Sequence, residues 1–213
     1  MGRTQKLALQ ASAQLNESTM PLSDPQQDVK THTLSPPTTQ PHPPPMHPII
    51  NALGFQAAWW ACILGAAWDR EITALVFCAV LAELHLLNSK TTQADIQLGL
   101  ISVLIGLVLD SLLQYFSIVS FKGWACSPLS PYWMWMVWWM FALTLNSSLA
   151  FLKRYHWALA ALAGGVLGPL SYLAGARLGA ADMTSSPANL TILAASWALV
   201  LPALVALAKR SAR

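Results

Sequence analysis

Charge is scarce in this chain. Of its 213 residues only 10% are Asp, Glu, Lys or Arg, where an ordinary soluble domain carries roughly 25%, so a soluble globular protein is excluded. Cysteine is also rare: Cys62 and Cys78 lie in apolar runs, Cys126 lies in a loop, and no CxxC spacing occurs. The five histidines are dispersed, without ligand spacing. A disulfide framework or a zinc site is therefore not expected, nor any other metal or cofactor. The basic excess is small and scattered, with a net charge of +3, so nucleic acid is not an expected partner. No nucleophile stands beside a base, no two carboxylates stand at catalytic spacing, and no glycine-rich phosphate loop occurs, so an enzyme is not the first expectation.

What remains is apolar. Hydrophobic residues make up 55% of the chain, and there are ten tryptophans, a residue favoured where membrane meets water. From Ile49 onward the apolar runs approach the ~20 residues that cross a bilayer. Six are expected, at 49–67, 72–88, 95–119, 131–152, 157–180 and 188–208. The fold expected is thus an all-α polytopic bundle of about six transmembrane helices. Its domain spans 49–208, between an N-terminal tail (1–48) and a basic C-terminus (209–213). With six spans, the tail, the 89–94 loop, the 153–156 loop and the C-terminus share one side and hold nine Lys or Arg, while the other side holds Arg70 and Lys122. Basic residues are retained on the cytoplasmic face, which predicts both termini in the cytoplasm of a bacterial inner membrane. The tail contains nine of the fourteen prolines and too few large apolar residues to offset its chain entropy, so disorder is expected there. A start at Met46 is the alternative.

The third run is the most informative. At ~100° per residue, Gly99, Ser102, Gly106, Asp110, Gln114 and Ser117 share an arc of about 120°, a polar, small-residue stripe that faces protein or water. An Asp at a helix centre costs ~2.5–3.5 kcal/mol on insertion scales, so Asp110 should be paired, hydrated or protonated. In the fifth run Gly164, Gly168, Ser171, Gly175 and Gly179 share an arc of about 80°, which lets a neighbouring helix approach closely. Pro169 leaves the Gly165 carbonyl without its helical donor, and a kink is expected there. Arg177 lies near the outer end of this run, and an ion pair with Asp110 is one expectation for it; snorkelling to the outer headgroups is the other.

Further polar candidates lie towards the inner side: Asn51, Gln56, Glu83, His85 and Asn146. Glu83 and His85 are about 200° apart on a helix, which separates them, and His85 is expected at the inner interface. Asn51, Gln56 and Asn146 suit interhelical hydrogen bonding, with a small polar pocket as the alternative. The fourth run opens Pro131-Tyr-Trp-Met-Trp-Met-Val-Trp-Trp-Met140, which reads first as an interfacial anchor and second as a stacking surface for a ligand.

Asn51-Ala-Leu-Gly-Phe-Gln56, Trp60, Gly106 with Asp110, Trp138 to Leu145, and above all Gly168-Pro-Leu-Ser-Tyr-Leu-Ala-Gly-Ala-Arg-Leu-Gly-Ala180 resemble the bacterial inner-membrane family called domain of unknown function 2878, over about residues 47–208. The resemblance supplies no catalytic residue. It implies an accessory role in envelope lipid chemistry, linked to fatty-acid modification or stress. The expectation is a non-enzymatic accessory or lipid-handling subunit, with membrane lipids and a membrane protein or second copy as partners. The alternative is a small transporter or channel using Asp110 and the kinked fifth helix.

Overall fold

The structure is a computed structural model and describes residues 47–211. The Pro-rich tail and the alternative start at Met46 lie outside the described residues. Six α-helices follow one another: α1 (Pro48–Ala67), α2 (Glu71–Leu87), α3 (Thr92–Tyr115), α4 (Tyr132–Leu145), α5 (Trp157–Arg177) and α6 (Pro187–Ser211). Four of them, α1, α3, α5 and α6, are long and apolar enough to cross a membrane. At ~1.5 Å per residue, the 17 residues of α2 and 14 of α4 reach about 26 and 21 Å, less than a ~30 Å hydrocarbon core.

The fourth apolar run is the largest departure from expectation. Its helix ends at Leu145 rather than near 152. Thr144 donates its hydroxyl to the Phe141 carbonyl at 2.6 Å, and the polar Asn146-Ser-Ser sequence carries the chain through turns into a 3-10 helix at Ala150–Arg154. Polar side chains that bond nearby backbone compete with helix propagation, and here they prevail over hydropathy. The third run likewise stops early, at Tyr115. Beyond it, β1 (Val119–Phe121) pairs antiparallel with β2 (Ala181–Met183), Ser120 opposite Asp182. Of the two strands only Val119 falls within an expected span, and neither strand was expected from hydropathy. This two-stranded ribbon marks the sheet end of the bundle; the 89–94 and 146–156 connections mark the opposite, basic end.

Three antiparallel pairs build the bundle, and small residues explain each. In the α1–α2 hairpin Gly65 lies against Ala74: a Cβ at Gly65 would come within 2.7 Å of the Ala74 Cβ. In the α5–α6 pair a Cβ at Gly164 would overlap the Trp197 carbonyl oxygen, and one at Gly168 would overlap the Trp197 side chain. The glycine face expected on the fifth run is therefore occupied from within by α6, while Gly175 and Gly179 meet Ile63 and Ala67 of α1. Pro169 lies buried inside α5, which continues as helix to Arg177.

The third pair, α3–α4, sets large against small. Gly99 receives the Trp139 ring and Gly106 the Trp138 ring, while Ser102 donates to the Trp138 carbonyl at 3.1 Å. The stripe of α3 is thus the bed for the tryptophans of α4, a helix in contact with α1, α2, α3 and α6. Its apolar residues run all round, as a central helix requires. Trp133 and Trp138 are 1% and 2% exposed, so the anchor expected of the aromatic run is corrected: these two are core, and Tyr132 is the exposed member.

Candidate functional site

Two buried carboxyl groups stand on one face of α3, near its two ends. Asp110 is fully buried. One oxygen accepts from Trp138 Nε1 at 2.7 Å, the other from the Tyr172 hydroxyl. Trp138 in turn stacks on Trp197, rings 4.8 Å apart and 9° from parallel, and Phe121 of β1 tilts against Tyr172 at 6.2 Å. Asp110 thereby joins α3, α4 and α5. The expected ion pair with Arg177 is corrected: Arg177 is exposed and makes no salt bridge among the described residues, because two neutral aromatic donors already occupy the carboxyl oxygens. Gln114 is half-buried and Ser117 exposed, so the stripe fades where α3 ends.

Asp95, in the first turn of α3, is 1% exposed. It accepts from Asn146 Nδ2 at 2.7 Å and from the Ser89 hydroxyl, and lies 3.5 Å from His85 Nε2. The network continues outward. His85 Nδ1 is 3.1 Å from Asn51 Nδ2, the Asn51 carbonyl oxygen accepts from the Ser148 hydroxyl at 2.6 Å, and Lys153 donates to Asn146 Oδ1. Burial holds the half-buried Lys153 ammonium below its usual pKa, and the charge of Asp95 opposes that shift. Five segments meet here: α1, α2, the 88–91 turn, α3 and the turns after α4.

Two expectations are corrected at this end. His85 is 5% exposed, in the core rather than at the interface, with Asn51 bonded at Nδ1 and the Asp95 carboxylate 3.5 Å from Nε2. Glu83 is exposed on α2 and takes no part. Asn51 and Asn146 do bond between segments, whereas Gln56 is exposed at the rim of a cavity. Asp95 was missed, although it carries a signal. It lies four residues before Gly99, about 40° away around the helix, and so extends the stripe of α3 by one turn.

The cavity, of about 660 Å³, lies between α1 and α5, with α4 and Trp197 among its walls. Phe55, Trp59, Phe141, Trp138, Tyr172 and Leu201 give it an aromatic and aliphatic lining. Its hydroxyls are engaged elsewhere: Ser148 with Asn51, Thr144 with Phe141, and Ser171 as acceptor from Trp59 Nε1 at 3.2 Å. The last bond also ties α1 to α5. Leu167 and Leu170, at the α5 side, are 62% and 54% exposed. From Ala52 to Ile63 the α1 wall runs about 16 Å at ~1.5 Å per residue.

No curated protein and no solved structure matches the chain. Residues 48–203 match the family described as Protein of unknown function (DUF2878). That stretch takes in both carboxyl sites, the cavity and all six helices up to the last turns of α6, and the chain belongs to this family.

Proposed function

We propose that this is a multi-pass inner-membrane protein that handles lipid without chemistry of its own, holding one acyl chain in the cavity between α1 and α5. The cavity carries the proposal. Its volume lies within the ~300–1,000 Å³ of small-molecule sites, its wall is long enough for much of an acyl chain, and its few hydroxyls are already bonded within the protein. An occupant apolar along most of its length suits such walls, and exposed Leu167 and Leu170 beside them suit lateral entry from hydrocarbon. The distribution of Lys and Arg supports a cytoplasmic location for both termini. A membrane protein partner or a second copy would receive or deliver the lipid.

Transport through Asp110 is the weaker reading. Both carboxyl oxygens are engaged by aromatic donors, and Asp110 is not among the residues that line the cavity, so its geometry suits a tie between helices better than a path.

A phospholipid with a photoactivatable acyl chain, incorporated with the protein into vesicles, tests the proposal. Labelling of the interior cavity residues Phe141 and Leu201 is expected. Label confined to outward residues of α3, such as Leu104 and Val108, would overturn it.

A further inference from the structure

The α1–α2 hairpin holds two thiols in contact. Cys62 Sγ and Cys78 Sγ are 3.5 Å apart, and both residues are wholly buried. They sit in a seam of small residues, with Ala58, Gly65 and Ala66 on α1 and Ala74 and Ala82 on α2. The Cys78 thiol donates to the Ala58 carbonyl at 3.6 Å. Each sulfur is thus the other's neighbour, on antiparallel helices joined by a three-residue turn.

We propose that Cys62 and Cys78 form a redox modification site, a dithiol that closes to a disulfide when an apolar organic hydroperoxide reaches it through the bilayer. Closure brings the sulfurs from 3.5 Å to the ~2.05 Å of a disulfide, an approach of about 1.5 Å between two short side chains in an alanine-lined seam. One sulfur attacks the terminal oxygen of the hydroperoxide: the O–O bond breaks, the alcohol leaves, and a sulfenic acid forms. The second sulfur displaces that oxygen as water, the usual fate of a sulfenic acid beside a thiol. Two S–H bonds are lost and one S–S bond is gained. The two electrons reduce the peroxide, and the two thiol protons end on the alcohol and the water. Complete burial selects the oxidant, since water-soluble peroxide must enter an apolar seam while an alkyl hydroperoxide partitions there.

The site does not rest on the lipid-handling reading, but it adjoins the cavity. Ile63, the next residue, lines the wall and lies under Gly175 of α5, so a bond at Cys62 pins that wall of α1 to α2.

The test uses the full chain in vesicles with the exposed Cys126 replaced (Cys126→Ser), or with Cys126 of the unaltered protein first capped by a membrane-impermeant maleimide. After cumene hydroperoxide, denaturation and alkylation, the thiol count should fall from two to none, a linked Cys62–Cys78 peptide should appear, and reductant should restore both thiols. Hydrogen peroxide at the same concentration should act more slowly. Cys62→Ala should abolish the linked peptide. Two thiols still alkylatable after hydroperoxide, or separate sulfinic acids with no linked peptide, would overturn the proposal.

Discussion

Asp95 and Asp110 stand fifteen residues apart on the same face of α3, both buried, and are held in opposite ways. Around Asp110 the partners are a ring N–H and a phenol, both neutral, set in an aromatic layer of Trp138, Trp197 and Tyr172. Around Asp95 they are an amide, a hydroxyl and an imidazole, with a lysine one residue further out. The difference follows position. Asp110 lies deep in a helix among apolar neighbours, where the donors available are the polar edges of aromatic rings. Asp95 lies in a first turn, where loops bring short polar side chains. The first arrangement fixes ring orientation; the second gathers five chain segments.

Substitutions sharpen the contrast, and the largest effect belongs to the basic end. Asp95→Ala strands Asn146, His85 and Ser89 together and should cost about 3–5 kcal/mol, the usual loss when one member of a buried charged set is removed; thermal unfolding in mild detergent would register it. Gly106→Ala comes next, at about 1–3 kcal/mol for overpacking, because Trp138 is stacked on one side and bonded at its edge and has no room to yield. Quenching and shift of tryptophan fluorescence would report the displaced ring.

Asp110→Asn should be mild, under about 1.7 kcal/mol, the upper end measured for hydrogen bonds between membrane helices. The amide oxygen still accepts from Trp138, and the Tyr172 hydroxyl reverses to accept from the amide nitrogen. Asp95→Asn can keep its oxygen towards the Asn146 amide nitrogen, which Lys153 orients through Oδ1. It then turns an NH2 towards His85 Nε2, which carries the hydrogen when Nδ1 accepts from Asn51, and it should cost more than Asp110→Asn in the same assay. A reversed order would break the comparison.

The smallest effect concerns Lys153. Its folded pKa is lowered by burial, so the cost of burying its charge is present at neutral pH and is relieved as pH rises through that lowered value towards the ordinary lysine range. Stability should therefore climb slightly on the alkaline side, and Lys153→Met should flatten that slope in a melting series across pH.

Much of this organisation was legible in the sequence. Six helices followed from hydropathy, and the α3 stripe with Asp110 followed from helical periodicity. The glycine seam of α5 followed too, though its partner, Trp197 of α6, did not, because periodicity names a face and not what covers it. The Asp110–Arg177 expectation failed for a related reason: opposite charges at similar depth suggest a pair, but sequence does not show that Tyr172 and Trp138 are nearer. The tryptophans of α4 read as interfacial by composition, whereas burial depended on small residues of α3 lying opposite them. His85 and Asp95 are ten residues apart and meet across the 88–91 turn, but Asn146 and Lys153 lie far along the chain, and only the turns after α4 bring them to the pair.

The most direct measurement of the central claim is the number of lipids retained per chain, counted by native mass spectrometry after gentle delipidation. Ala163 lines the cavity, so Ala163→Phe fills part of it. One tightly held lipid is expected on the unaltered protein and none on Ala163→Phe at equal melting temperature. Equal retention by both proteins would contradict the cavity as a lipid site.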